Sequence, residues 1–143
     1  MARAIIAAAL ATLVAAGLVH LSGTVSGVPS VPLLADIQAF NLRIGMPGTP
    51  DAAWIAHAVL GVLVYGVLYA LIQPILPGGA VLEGATFGVL TFLAMTTVFA
   101  PLTGHALFMQ DLGPAVIGML LAFNLAYGMV LGATYAVLGG RSA

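Results

Sequence analysis

Charge is almost missing from this sequence. Three Lys or Arg and four Asp or Glu are spread over 143 residues, whereas an ordinary soluble domain is roughly one-quarter charged. So few charges cannot build a water-facing skin, which excludes an ordinary soluble fold. A net charge of −1 leaves no basic face for nucleic acid. Cysteine is absent, which excludes disulfides, thiolate metal sites and a cysteine nucleophile. The sequence has no HExxH, no glycine-rich phosphate loop and no GxSxG. No pair of carboxylates falls at membrane depth to suggest a protease or a proton relay. Ser22, Ser26 and Ser30 stand near one another without a base. Enzymatic activity is not expected.

Apolar residues take the place of the missing charge. They make up 62% of the chain, and the mean hydropathy is +1.20. They fall into four runs, at about 4–21, 52–72, 81–100 and 114–138. Each is long enough, at about 1.5 Å per residue, to cross a hydrocarbon core of roughly 30 Å. None shows the polar–apolar alternation of a membrane barrel. The expected fold is all-α: a single transmembrane four-helix bundle spanning residues 1–143, with the lipid bilayer as its solvent. Thr49-Pro50-Asp51 opens the second run, since Pro is tolerated in a first helical turn and Asp suits the positive end of the helix dipole. Pro114, preceded by Asp111, opens the fourth. The short Pro77-Gly78-Gly79 connection makes runs two and three antiparallel neighbours. Residues 1–22 are read as an uncleaved first span rather than as a signal peptide.

Arg3 and Arg141 flank the first and last runs, which four crossings place on one side. The positive-inside tendency makes that side cytoplasmic. Both termini are then cytoplasmic in a bacterial inner membrane. The opposite, outer face carries Asp36, Asp51, Asp111 and one basic residue, Arg43. It also holds the longest connection, residues 22–50. There Leu33, Ile37, Phe40 and Ile44 recur at helical spacing, predicting a short amphipathic interfacial helix. Such a helix serves either as a lid or docking element, or as a cover for helix ends.

Small residues recur every four positions. Gly84 with Gly88, Gly128 with Gly132, and Ala7, Ala11 and Ala15 form stripes that favour close helix approach, within the bundle or across a dimer seam. Polar side chains at membrane depth are few. His57 lies about 9 Å below the outer boundary, Asn124 about 15 Å deep, and Glu83 in the first turn of run three. Such groups need partners, so His57 and Asn124 are expected to face inward. His57, Gly61, Val64 and Leu68 share one stripe, with Tyr65 and Tyr69 progressively off it, and Gly61 leaves space for a neighbouring helix or a flat cofactor. A lone intramembrane histidine is satisfied either by a backbone carbonyl or hydroxyl, or by a ligand. His20, His57, His105, Met95 and Met119 all fall on the outer side. Imidazole with thioether suits copper, especially Cu(I), although methionine is also an ordinary core filler.

Trp54-Ile-Ala-His57-Ala-Val-Leu-Gly61, Val64-Tyr65-Gly66, Glu83-Gly84-Ala-Thr-Phe87-Gly88, Pro101-Leu-Thr-Gly104 and Asn124-Leu-Ala-Tyr-Gly128-Met-Val-Leu-Gly132-Ala-Thr-Tyr135 follow in order. Together they resemble an uncharacterised bacterial family of small four-helix membrane proteins, a domain of unknown function. The resemblance implies the architecture and no activity. It also implies a histidine paired with His57 at the position of Asn124, a pairing this chain lacks. The functional expectation is a non-catalytic accessory subunit packed against other membrane subunits of a respiratory or photosynthetic complex. One alternative is a haem-, chlorophyll-type pigment- or copper-binding protein in which His57 is a ligand. A second is a small-solute transporter or channel.

Overall fold

The computed structural model describes residues 1–140; Arg141, one of the residues on which the orientation rests, lies outside them. The described residues are helical, with no strand. Four helices are long and apolar enough to cross a membrane: α1 (Ala2–Ser22), α3 (Pro50–Ile75), α4 (Ala80–Thr103) and α5 (Pro114–Val137). A shorter helix, α2 (Leu33–Arg43), lies in the connection between α1 and α3. The observed limits match the expected runs to within a few residues, because length and apolarity determine both.

Local chemistry sets the ends. Thr49 caps α3, its hydroxyl accepting from the Ala52 amide at 3.3 Å, and Pro50 occupies the first turn. Pro114 opens α5 in the same way. Gly104 closes α4 in the left-handed conformation, at φ 100°.

The glycine pairs lie inside the molecule. A Cβ placed on Gly84 would come 2.1 Å from the Gly128 carbonyl oxygen, and one on Gly128 would come 2.1 Å from that of Gly84. Gly132 meets the Ala80 carbonyl equally closely, and Gly88 faces that of Asn124. Helices α4 and α5 therefore cross backbone against backbone. Ala4, Ala7, Ala8 and Ala11 are fully buried on α1, which packs against α5 and α3. Within lipid, this close dispersion contact replaces the hydrophobic gain that drives packing in water.

Helices α3 and α4 are antiparallel, as the short turn requires, and they meet through side chains near that turn. Gln73 Nε2 donates to Glu83 Oε2 at 2.9 Å, with both residues buried. Tyr69 packs edge-on against Phe87 and Tyr135, at 5.2 and 5.5 Å between ring centres. Arg3 donates to the Gly139 carbonyl, tying the start of α1 to the end of α5.

Two of the long helices contain a π turn, Val59–Val64 in α3 and Met95–Phe99 in α4. A π turn adds a residue to the helical repeat and shifts the register of everything beyond it. The expected stripe on α3 changes accordingly. Gly61 and Tyr69 are buried and Tyr65 half-buried, whereas Val64 and Leu68 are both 43% exposed and point outward.

Candidate ligand-binding cavity

Both π turns border one cavity of about 310 Å³. It lies in the half of the molecule that carries α2, away from the α3–α4 turn. All four long helices contribute walls: Thr12 and Ala15 from α1, His57 and Gly61 from α3, Met95 and Phe99 from α4, Phe123 and Asn124 from α5. Leu33 and Ile37 of α2 complete the enclosure. Tyr65 and Tyr127 bound it toward the turn end, their rings 6.1 Å apart. The wall residues of α1 and α5 are buried or half-buried, but Leu60 of α3 and Ala94, Val98 and Leu102 of α4 are exposed. The cavity thus opens sideways between α3 and α4, onto the apolar surface of the molecule.

Its polar groups are few, and those of Tyr127 and Asn124 are occupied. Tyr127 Oη donates to the Gly61 carbonyl, inside the π turn, at 2.6 Å. Asn124 faces inward as expected: its Nδ2 donates to the Leu120 carbonyl at 2.8 Å, and its Oδ1 accepts from Thr91 Oγ1 at 3.0 Å. The space beside Gly61 is taken by a helix, since a Cβ there would lie 2.4 Å from Thr12 Oγ1 of α1. His57 differs. Its ring lines the cavity and packs edge-on against Trp54 at 5.8 Å, and its buried Nε2 has no hydrogen-bond partner among the described residues. An unsatisfied buried polar atom costs about 1–3 kcal/mol, which an occupant offering the matching group relieves.

His57 and Met95 share the cavity wall, but His20, His105 and Met119 are not part of it. His20 is exposed at the end of α1. Glu83 stands at the far end with Gln73. Among the described residues, no cluster of three or more His, Asp or Glu is arranged to hold a metal ion.

His105 has a different setting, which its sequence position does not reveal. Its Nε2 lies 3.0 Å from Asp36 Oδ1 of α2, and its Nδ1 lies 2.6 Å from Asp111 Oδ2 in the α4–α5 connection. Asp111 Oδ1 also accepts from the Ala106 amide at 2.9 Å. A neutral imidazole has a single N–H, so donation to both carboxylates requires the protonated ring. The hydrogen bond to Asp111, followed by that to Asp36, raises the His105 pKa above the ordinary histidine range. Asp111 is lowered, chiefly by its bond with His105. Asp36 is raised, because burial outweighs the attraction of His105. Arg43 adds a second tie by donating to the Leu102 carbonyl of α4. Together these contacts fasten α2, and with it Ile37, over the cavity. The sequence places Asp36, Asp111 and Arg43 on the outer face, and only the fold brings His105 between Asp36 and Asp111.

No curated protein matches the chain, and no solved structure does. A family model does match, over residues 1–143. The chain belongs to the family of unknown function DUF6789.

Proposed function

We propose that this protein is a non-catalytic, multi-pass membrane protein that holds a small, mainly apolar ligand in the cavity beneath α2, with His57 as its polar anchor. The observation that carries this reading is an apolar cavity of about 310 Å³ whose wall includes an imidazole with an unpartnered nitrogen. Ligand sites are typically apolar concavities of roughly this size with a few placed polar groups. The two π turns support it, since these irregularities gather at functional sites. In this reading the four long helices form a bundle in a bacterial inner membrane, with both termini cytoplasmic and α2 at the outer interface. Native mass spectrometry in mild detergent tests it. A bound small molecule is expected on the wild type and is expected to be lost from His57→Leu and from the cavity-filling Ala94→Phe. Identical spectra for all three proteins overturn the reading.

The accessory-subunit reading has its own support. Only 17% of the apolar core of α3 is buried inside the molecule, against 39% for α1, so α3 offers its length to lipid or to a neighbouring subunit. Recovery of a stable complex with other membrane polypeptides after mild solubilisation supports that role, and a lone monomer counts against it. A subunit that also holds a ligand satisfies both readings.

A further inference from the structure

A second apolar concavity, of about 380 Å³, runs along the outward side of α3 beside α2. Phe40, Ile44 and Met46 form one bank, and Ile55, Ala56 and Val59 the other. It shares three wall residues, Ile37, Leu60 and Phe99, with the cavity that holds His57. Leu60 also stands at the sideways opening of that cavity. The two spaces therefore adjoin, with the chamber beside His57 on one side of Leu60 and an apolar groove on the other.

From this continuity we infer that the ligand is a chain-bearing amphiphile of the quinone or quinol type, with its head in the chamber beside His57 and its alkyl or prenyl chain in the groove along α3. The inference rests on the ligand-binding reading above and names the ligand's class. Three features select the head. The chamber is walled by the rings of Tyr65, Phe99, Phe123 and Tyr127, which suit a flat ring. Its polar groups are few, and those of Asn124 and Tyr127 are already satisfied, so the chamber offers little to a charged or many-hydroxyl headgroup. Imidazole suits both states of such a head, since N–H donates to a carbonyl and the bare nitrogen accepts from a hydroxyl. The groove accounts for the chain: its banks are almost wholly apolar, and it opens onto the surface that faces lipid, through which a lipid-soluble molecule arrives. A chain moving from lipid into a protein groove gains little hydrophobic free energy. The groove's effect is to accommodate a chain that would otherwise clash with α2 or α3.

The protein carries its own reporter. Trp54 is the sole tryptophan, and its ring packs on His57, so a quinone beside His57 quenches it. The experiment titrates the full chain in nanodiscs with 2,3-dimethoxy-5-methyl-6-decyl-1,4-benzoquinone and with the analogue carrying a methyl group in place of decyl. Wild type is compared with His57→Leu and with two groove-filling variants, Val59→Phe and Ala56→Leu. Circular dichroism and elution volume establish that each is folded. Comparing variants for each probe separately cancels its partitioning into lipid. Saturable quenching by both probes is expected in the wild type, with about a tenfold loss of affinity for both in His57→Leu. Either groove variant is expected to weaken the decyl probe about fivefold or more and to leave the methyl probe unchanged. If the groove variants affect both probes equally, or neither, the chain assignment is overturned while the chamber stands. Absence of saturable quenching by either probe in the wild type overturns the quinone class. The ligand-binding reading itself is then judged by the mass-spectrometric comparison, which assumes no ligand class.

Discussion

The two ends of this molecule are built on opposite principles. At the end holding the α3–α4 turn, glycines bring α4 and α5 together backbone to backbone, and Tyr69, Phe87 and Tyr135 fill the remaining space. At the α2 end, two π turns and several large side chains line a cavity. Composition alone does not separate the ends, since both are apolar. The difference follows residue size rather than hydrophobicity: glycines mark the solid end, and larger side chains surround the hollow one.

The sharpest way to break this contrast is to enlarge a glycine at the solid end. Gly128→Leu drives a side chain into the backbone of Gly84 and Gly88. It is expected to cost about 3 kcal/mol or more, read as lost resistance to unfolding in mixed micelles. Gln73→Ala, at the same end, removes a buried partner of Glu83. A loss of about 1–2 kcal/mol is expected in the same assay. Changes at the hollow end are expected to be milder. Tyr127→Phe deletes the bond to the Gly61 carbonyl, for a loss of about 1 kcal/mol. Ala94→Leu places its extra atoms at the mouth of the cavity, and a change within about 0.5 kcal/mol is expected. If Ala94→Leu proves as damaging as Gly128→Leu, the contrast between solid and hollow ends fails.

The fastening of α2 sharpens the comparison through pH. His105 has a raised pKa in the folded protein, so its contribution is full below the ordinary histidine value of 6.5 and is lost as pH rises through the higher folded value. Asp111 has a lowered pKa, so its contribution is present above the ordinary value of 3.8 and is lost as pH falls through the lower folded value. Asp36 behaves in the opposite sense: its raised pKa makes its charged form a cost that burial imposes and His105 offsets. The α2 tie is therefore strongest between mildly acidic and neutral pH and loosens under alkaline conditions. Amide exchange measured across Leu33–Arg43 and corrected for intrinsic rates is expected to accelerate roughly tenfold from pH 6 to pH 9 in the wild type. His105→Asn is expected to exchange faster throughout and to lose this dependence. Exchange at the turn end serves as the internal control.

Parts of both ends were legible beforehand. The glycine and alanine stripes pointed to close packing, and the structure places them within one molecule, because each glycine faces a backbone a few ångströms away. The inward facing of Asn124 followed from the cost of a lone amide in lipid. His57 was legible as a polar group beside a small residue, although the space next to Gly61 went to Thr12 rather than to a flat ligand. The outer histidines and methionines were grouped by depth, the only coordinate available. Depth carries no angular information, and His105 turned instead toward two carboxylates.

Length, apolarity and the punctuation of Pro, Gly and Thr were enough to determine four membrane-length helices, a short helix between the first two, and tight glycine seams. These properties are local: they depend on a fixed rise per residue and on the solvation of individual side chains. Which helix faces which, the register beyond each π turn, the sideways opening of the cavity and the His105 bridge were decided by the tertiary structure alone. Each of these joins groups far apart in the chain, Asp36 and His105 being separated by 69 positions. No local preference encodes such a meeting, because it exists only once the helices have packed.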